Sequence, residues 1–362
     1  MDQLPHDLVA LAVRDLGGED VLSLHGVCHA LRRACAPRAK EVAAALVALG
    51  MHGTWGGDGR GGACAPAGSP RRRVLASTRV HFDCSVLGVG ALADALRALS
   101  DVRPGKVRTL SFGGTGFGHV MHVHLLSSCA LPGLDTLVFR NVDVDGAAPF
   151  VPAFLHSWTV EFGLFGSLRS LVLSGCDITD VYLLGLDEVL LDVRHLPSLT
   201  AVDVSRNHLT TLHSLAHAIA VRPALVDLEV SHNALDADAL SDFAVVTAQS
   251  TLRTLVVDGN PLGDAGARVL TTHLWRMPWM WMFLQHLSLA ACGCSFPACA
   301  DVLRLIDNGC MPWLAELVLD EPHVARATAA LPRRLAVRVS PPDRVREWYL
   351  TDSLRMPPPP RR

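Results

Sequence analysis

The residues that could do chemistry are few, and the first candidates are cysteines. The chain has ten cysteines, and three of them cluster as C-x-C-x4-C: Cys292, Cys294 and Cys299. A structural zinc site usually draws its four ligands from two close pairs, and no CxxC pair stands elsewhere in the chain. Thiols of intracellular proteins stay reduced. We therefore interpret most of the cysteines as small buried apolar residues, not as metal ligands or a disulfide framework.

Two further patterns, a glycine-rich run and a histidine cluster, could bind phosphate or metal. The run GGTGFG from Gly113 lies where a strand would pass into a helix, but no three of its glycines fit the G-x-G-x-x-G spacing. His119 and His122 would lie one helical turn apart with His124 nearby, and exposed helix histidines are the simpler interpretation. No nucleophile elbow, HExxH or kinase motif is present. The sequence therefore predicts no catalytic residue, no metal and no cofactor.

Composition argues against several classes of partner. Charged residues make up 19% of the chain and the formal net charge is -3, so no global field attracts phosphate backbones or anionic lipid. The first residues are partly acidic and include Pro5, unlike a secretory signal. No stretch approaches the roughly 18 apolar residues of a membrane helix. We expect a soluble protein of the cytoplasm, the nucleus or both, with neither nucleic acid nor a membrane as its partner.

About nine copies of one short pattern dominate the chain, and they must provide the elements that position any site. The frame L-x-x-L-x-L-x-x-N/C, with Val in place of some of the later Leu residues, occurs from Leu168, Leu199, Leu225, Leu252 and Leu284. Looser copies start at Ser77, Val107, Leu134 and Leu314. Successive starts lie 26 to 34 residues apart, which is long enough for a strand and a helix in every copy. Over residues 74–340 the sequence resembles the leucine-rich-repeat family.

One repeat cannot bury the apolar side chains of its own strand and helix, so neighbouring repeats must stack. The expected fold class is α/β: a leucine-rich-repeat solenoid of the ribonuclease-inhibitor-like kind, a horseshoe with a parallel sheet on its concave face and helices on its convex face. In the repeat around Asn260, that side chain should satisfy backbone groups in a turn, Gly263 and Asp264 should start a helix, and Val269 and Leu270 should face inward. Fold alone predicts only binding.

Strand positions that should point away from the helices, towards solvent, carry acidic side chains in several repeats. These positions are Asp203, Asp227, Glu229, Asp258, Glu316 and Asp320. One hypothesis is that they bind a basic target protein, and the other is that they are ordinary solvated strand charges. An aromatic stretch also allows two interpretations, a contact for a partner or burial under the neighbouring helix. It comprises Trp275, Trp279, Trp281 and Phe283.

Residues 1–50 have apolar side chains at helical spacing, interrupted by Gly17 and Gly18. Here the sequence resembles an F-box in its opening Leu-Pro, its first-helix apolar pair, its helix-ending Leu, and the acidic start and Val-Cys close of its second helix. The residues that match are Leu4, Pro5, Leu8, Val9, Leu16, Asp20, Val21, Leu24, Val27 and Cys28. Leu31 departs from the family, which often has Trp there. The resemblance implies that the ten matching residues dock on the Skp-type adaptor of a cullin-RING ubiquitin ligase.

The sequence thus predicts four segments: an F-box-like helical module at 1–50, a Gly/Pro/Arg-rich linker at 51–73, the repeats at 74–340 and a Pro-rich tail at 341–362. The last six residues of the tail fit a Pro-x-x-Pro-x-Arg ligand. The expected function is recruitment of a target protein to the ligase, with no catalysis by this chain. Two alternatives remain. One is a repeat scaffold or inhibitor in which residues 1–50 only cap the first repeat. The other is a GTPase-activating protein of the same architecture.

Overall fold

A computed structural model describes residues 79–83, 107–113, 131–142, 166–184, 186–320 and 336–339. The chain divides into two compact units, Met1–Ser198 and Leu199–Arg362. Four groups of predictions fall outside the described residues: the ten F-box-like residues, the linker, the tail, and the histidine cluster with the glycine run beyond Gly113.

Four strands form the described sheet of the first unit: β1 (Arg79–Asp83), β2 (Thr109–Gly113), β3 (Thr136–Arg140) and β4 (Ser170–Ser174). Each strand pairs in parallel with the next, so Leu110 lies beside Leu137, which lies beside Leu171. All three side chains are buried, as the leucines of a repeat core should be. Two short helices follow β4, α1 (Asp180–Leu184) and α2 (Asp187–Leu191).

In the second unit strands and helices alternate. The strands are β5 (Ala201–Asp203), β6 (Asp227–Glu229), β7 (Thr254–Val256), β8 (His286–Ser288), β9 (Glu316–Leu319) and β10 (Ala336–Val339). The helices between β5 and β9 are α3 (His213–Val221), α4 (Ala237–Thr247), α5 (Gly263–Arg276) and α6 (Phe296–Asp307). Successive strands again pair in parallel. This is the predicted α/β architecture of strand-and-helix repeats.

Each of the nine predicted repeat starts lies two residues before an observed strand, from Ser77 before β1 to Leu314 before β9. The expected helix start at Gly263 and the burial of Leu270 are confirmed, while Val269 is half-buried. A tenth strand, β10, begins two residues after Arg334. The sequence pattern did not reveal β10, because arginine stands where the frame requires leucine.

The Asn/Cys position that ends each frame forms a buried ladder between repeats. Asn260 is 1% exposed, and its Nδ2 donates to the carbonyls of Val257 at 2.8 Å and Val230 at 3.0 Å. Its Oδ1 accepts the backbone N–H groups of Asn233 at 3.1 Å and Leu235 at 3.2 Å. The expectation that Asn260 satisfies backbone groups in its turn is confirmed, and the same side chain also pairs with the turn of the preceding repeat.

Cysteine performs part of the same task where it replaces asparagine. The Cys292 thiol donates to the carbonyl of Val257 at 3.3 Å, and the Cys176 thiol donates to the carbonyl of Phe139 at 3.5 Å. Both thiols are buried. A thiol offers one weak donor where the amide offers two donors and an acceptor, so cysteine can replace only part of what asparagine does here.

The residue just before the ladder position takes a left-handed backbone conformation, with φ of 57° at Arg206, 53° at His232 and 65° at Gly259. At position 259 two requirements favour glycine. A Cβ there would clash with the imidazole ring of His232, and the positive φ itself strains a residue that has a side chain. Glycine therefore lets two consecutive turns stack closely.

Candidate protein-binding face

The strands β5 to β9 of the second unit present side chains on the side away from the helices, which we call the sheet face. Strand register sorts these side chains into rows that cross the strands. The first row comprises Ala201, Asp227, Thr254, His286 and Glu316. The second row comprises Asp203, Glu229, Val256, Ser288 and Val318. The third row lies two residues further along each strand, at Ser205, Ser231, Asp258, Ala290 and Asp320.

The rows differ in exposure. All members of the second row are buried, with Asp203 4% and Glu229 8% exposed, and Asp258 of the third row is 7% exposed. The expectation that these three carboxylates face solvent is therefore wrong. Asp227, Glu316 and Asp320 are half-buried and accessible. Binding of a target by any of the six residues remains a prediction.

Hydrogen bonds explain why several of the six predicted acidic residues can lie in or next to the turns that follow the strands. Asp203 accepts the backbone N–H of Ser205 at 2.8 Å, and Asp258 accepts that of Ala290 at 2.9 Å. Asp320 accepts the N–H of Ala291 at 2.6 Å. The hydroxyl of Ser231 donates to Glu229. These acids satisfy polar groups in and after the strands, which is a structural task.

The first row is the part of the face best suited to a ligand. His286 Nδ1 lies 2.9 Å from Glu316 Oε2, and Thr254 hydrogen-bonds the carboxyl of Asp227. Burial raises the pKa of Asp227 above its ordinary value, against the opposing effects of Thr254 and of the charges of Arg253 and His286. Two half-buried carboxylates thus flank a hydroxyl and an imidazole on adjacent strands. Such a row can accept hydrogen bonds from the ammonium or guanidinium groups of a partner.

Sequence reasoning identified the carboxylates of the first row and missed Thr254 and His286. The signal that could have found them was the repeat register: each lies two residues after a repeat start, as do Asp227 and Glu316. A search for charge alone passed over this position in the repeats where it holds Thr or His.

The three thiols of the cysteine cluster, Cys292, Cys294 and Cys299, are buried. Burial raises the pKa of the Cys292 thiol. The pKa of Cys294 is raised by its hydrogen bond with Cys299 and by burial, and that same bond lowers the pKa of Cys299. No group of three or more His, Cys, Asp or Glu side chains in this part of the chain is arranged to hold a metal ion. The thiols behave as small buried side chains.

The aromatic stretch divides between the two interpretations. Trp281 is fully buried, and its Nε1 donates to Thr247 Oγ1 at 2.9 Å, so this residue belongs to the core beside α4. Trp275, Trp279 and Phe283 are exposed by 74%, 56% and 43%. The stretch therefore combines one core anchor with an exposed aromatic surface.

Comparison with known proteins agrees with the fold. The sequence pattern of the family described as "Leucine Rich repeat" matches residues 167–181 and 248–270, which include β4, β7 and the first half of α5. The chain therefore carries leucine-rich repeats, which are typical of protein-interaction modules. No curated protein sequence is significantly similar to this chain. None of the helices in the described ranges has the length and apolar character needed to cross a bilayer.

The solved structures that align with the chain include the following three. An internalin (inlF) from Listeria monocytogenes str. 4b F2365 has 14% identity and a TM-score of 0.38, over 75% of this chain and 89% of that one. The TLR13-ssRNA13 complex has 20% identity and a TM-score of 0.38, over 68% of this chain and 29% of that one. An internalin C2 (inlC2) from the same Listeria strain has 13% identity and a TM-score of 0.34, over 74% and 83% of the two chains. Likeness at this level says nothing about what this chain binds.

Proposed function

We propose that the chain is the target-recognition subunit of a cullin-RING ubiquitin ligase, which docks on a Skp-type adaptor through residues 1–50 and holds a target protein on its repeats. The observation that carries this proposal is the order of its parts. An F-box-like motif from Leu4 to Cys28 precedes a series of leucine-rich repeats. The repeats supply a binding surface, and the motif supplies a reason for bringing the bound protein to a ligase. Proximity then accelerates transfer of ubiquitin by the other subunits.

The first row of the sheet face supports a basic partner. Asp227 and Glu316 offer accessible carboxylate oxygens three strands apart, with Thr254 and His286 between them. Parallel strands lie about 4.8 Å apart, so the two carboxylates are separated by about 14 Å. Two basic side chains of one target segment can span that distance. Asp203, Glu229 and Asp258 contribute the shape of the turns instead of direct contacts.

Adaptor binding tests the ligase part of the proposal. The full chain and a purified Skp-type adaptor are mixed, and complex formation is measured by gel filtration and by calorimetry. We expect a stoichiometric complex with the wild-type chain and at least about tenfold weaker binding after Leu4→Ala and Pro5→Ala, because these residues open the apolar docking surface. Arg304→Ala is the matched control, since its exposed side chain lies on α6 in the repeats.

Two results would contradict the ligase assignment: no binding by the wild-type chain, or equal binding by the wild type and the Leu4→Ala, Pro5→Ala variant. Either result favours the alternative of a repeat scaffold whose first residues cap the array.

Charge reversal tests the sheet face separately. Proteins that are cross-linked to the full chain in cells and recovered with it are compared between wild type, an Asp227→Lys, Glu316→Lys variant, and an Asp242→Lys control on the exposed side of α4. We expect the double variant to lose basic targets while it keeps the adaptor, because repulsion replaces attraction on the face. Equal recovery from all three chains would remove the face from the proposal.

A further inference from the structure

An exposed apolar surface lies at the end of α5 and in the loop that leads to β8. Trp275, Trp279, Met282 and Phe283 are exposed by 74%, 56%, 39% and 43%. Isolated exposed apolar residues are ordinary, but four within nine residues, two of them tryptophan, are typical of an interaction surface. None of these residues belongs to the sheet face described above.

Strand register adds a fifth aromatic residue from the next repeat. His286 pairs with Glu316, so Phe283 and Trp313, each three residues earlier, occupy equivalent positions on neighbouring chain segments. The backbone link is direct, because the N–H of Ala315 donates to the carbonyl of Gln285 at 2.8 Å. Trp313 is half-exposed. We call Trp275, Trp279, Met282, Phe283 and Trp313 the aromatic ledge.

The loop that carries the aromatic ledge is held in place by the buried Trp281. Its ring N–H donates to Thr247 at 2.9 Å, its backbone N–H donates to the carbonyl of Ala248 at 3.2 Å, and its own carbonyl accepts from Leu284 at 2.9 Å. A ligand that binds here meets aromatic side chains on an ordered loop, which lowers the entropy cost of binding.

The charges around the aromatic ledge do not favour a membrane surface. Residues 261–313 contain three arginines, three aspartates and neither lysine nor glutamate. An anionic bilayer attracts an excess of basic residues, and this region has no excess. A neutral apolar segment is the better match, and exposed tryptophans together with other aromatic side chains are what polyproline II segments recognise.

We propose that the aromatic ledge binds the polyproline segment of this same chain, Pro357–Pro360. Runs of proline in general favour the polyproline II conformation, so docking of such a run on aromatic rings costs little backbone entropy. The two arginines that follow can stack on a tryptophan ring or pair with Asp307, an exposed acid at the end of α6 on the same side of the repeats.

The connecting chain is long enough for this contact. Strand β10 ends at Val339, and 17 residues lie between it and Pro357. These residues can extend to roughly 56 Å at about 3.3 Å per residue. The path from the end of β10 to the aromatic ledge has two parts. The first is about 21 Å along one repeat, the length of the 14-residue helix α5, and the second is about 10 Å across the two strand spacings between β10 and β8. The tail therefore reaches the aromatic ledge with length to spare.

Tethering compensates for the weakness expected of a contact this small. A linker of this length gives the tail an effective concentration of about a millimolar at the aromatic ledge. If the dissociation constant of the tail is about a tenth of a millimolar, most chains have their own tail bound. The tail then occupies the aromatic ledge until a competing proline-rich segment of another protein displaces it.

A peptide of residues 354–362 with a fluorescent label tests the proposal by polarisation. The receptor is the full chain with Pro357, Pro358, Pro359 and Pro360 replaced by Ala, which leaves the aromatic ledge free. We expect this variant to bind the peptide at least about tenfold more tightly than the wild-type chain does, because the wild-type tail competes. Adding Trp275→Ala and Trp279→Ala to the variant should reduce binding by at least about tenfold.

Val245→Ala is the matched control, because this exposed apolar residue on α4 lies outside the aromatic ledge. Circular dichroism of every variant checks that the fold is retained. If the peptide binds wild type and the proline variant equally, or binds regardless of the two tryptophans, the proposal is wrong. Two other results would assign the aromatic ledge to a different occupant. If the chain associates in sedimentation and only Trp275→Ala and Trp279→Ala abolish the association, the aromatic ledge binds a second copy. If the chain binds neutral vesicles and only these substitutions abolish the binding, the aromatic ledge binds a lipid surface.

Discussion

Replacing Asn260 by alanine tests whether the buried ladder holds the repeats together. Asn260 is 1% exposed, so bulk solvent does not reach the groups that it pairs with. The substitution removes the acceptor of two buried N–H groups, those of Asn233 and Leu235, and the donor to the carbonyls of Val230 and Val257. Leaving one buried polar group unpaired costs about 1–3 kcal/mol, so two N–H groups alone give a loss of about 4 kcal/mol.

Urea unfolding followed by circular dichroism measures this loss as a change in the free energy of unfolding. Asn308→Ala is the matched control, because Asn308 is exposed after α6, and it should change stability by less than about 0.5 kcal/mol. Asn260→Cys should lie between the two, because cysteine at positions 176 and 292 keeps a donor to the turn carbonyl. If Asn260→Ala and Asn308→Ala differ by less than about 1 kcal/mol, the ladder is not what stabilises the stack.

Two further predictions concern backbone strain and pH. Gly259→Ala should lower the free energy of unfolding in urea by about 2–4 kcal/mol, because its Cβ would meet His232 at a positive φ. Gly263→Ala should lower it by only about 1 kcal/mol, because position 263 has a φ of 56° but no atom within 4 Å of the added Cβ. Burial raises the pKa of Asp227 above its ordinary value of 3.8, so the folded chain holds this proton more tightly than the unfolded chain does. The free energy of unfolding therefore falls as pH rises from 3.8 through the raised pKa. Asp227→Asn should remove that fall as pH rises above 3.8, while Asp242→Asn should keep it. Equal pH profiles for all three chains would refute this assignment.

The candidate face shows how far a charge pattern can mislead. Asp227 and Asp203 look alike in sequence, since both are acids at outward strand positions. In the structure Asp227 is half-buried and accessible, and Asp203 is 4% exposed and accepts a backbone N–H. An aspartate side chain is short enough to turn back onto its own backbone. Whether it does so depends on the local turn and on the neighbouring strands.

The aromatic stretch makes the same point for apolar residues. Trp279 and Trp281 are two residues apart and chemically identical, yet one is 56% exposed and the other is fully buried. Burial of Trp281 requires a space beside Phe243 and the hydroxyl of Thr247, both on α4 of the preceding repeat. No local pattern encodes that space, because it is formed by a helix more than thirty residues earlier in the chain.

The sequence by itself determined the repeat period, the start of nine strands and the place of the Asn/Cys ladder. It could do so because these features follow from a local rule: an apolar side chain must recur wherever a strand meets the core. Only the tertiary structure decided which acids remain accessible, which tryptophan anchors the loop, and that Asp227, Thr254, His286 and Glu316 form one row. Those outcomes depend on register and packing between segments that are distant in sequence, and no single repeat contains that information.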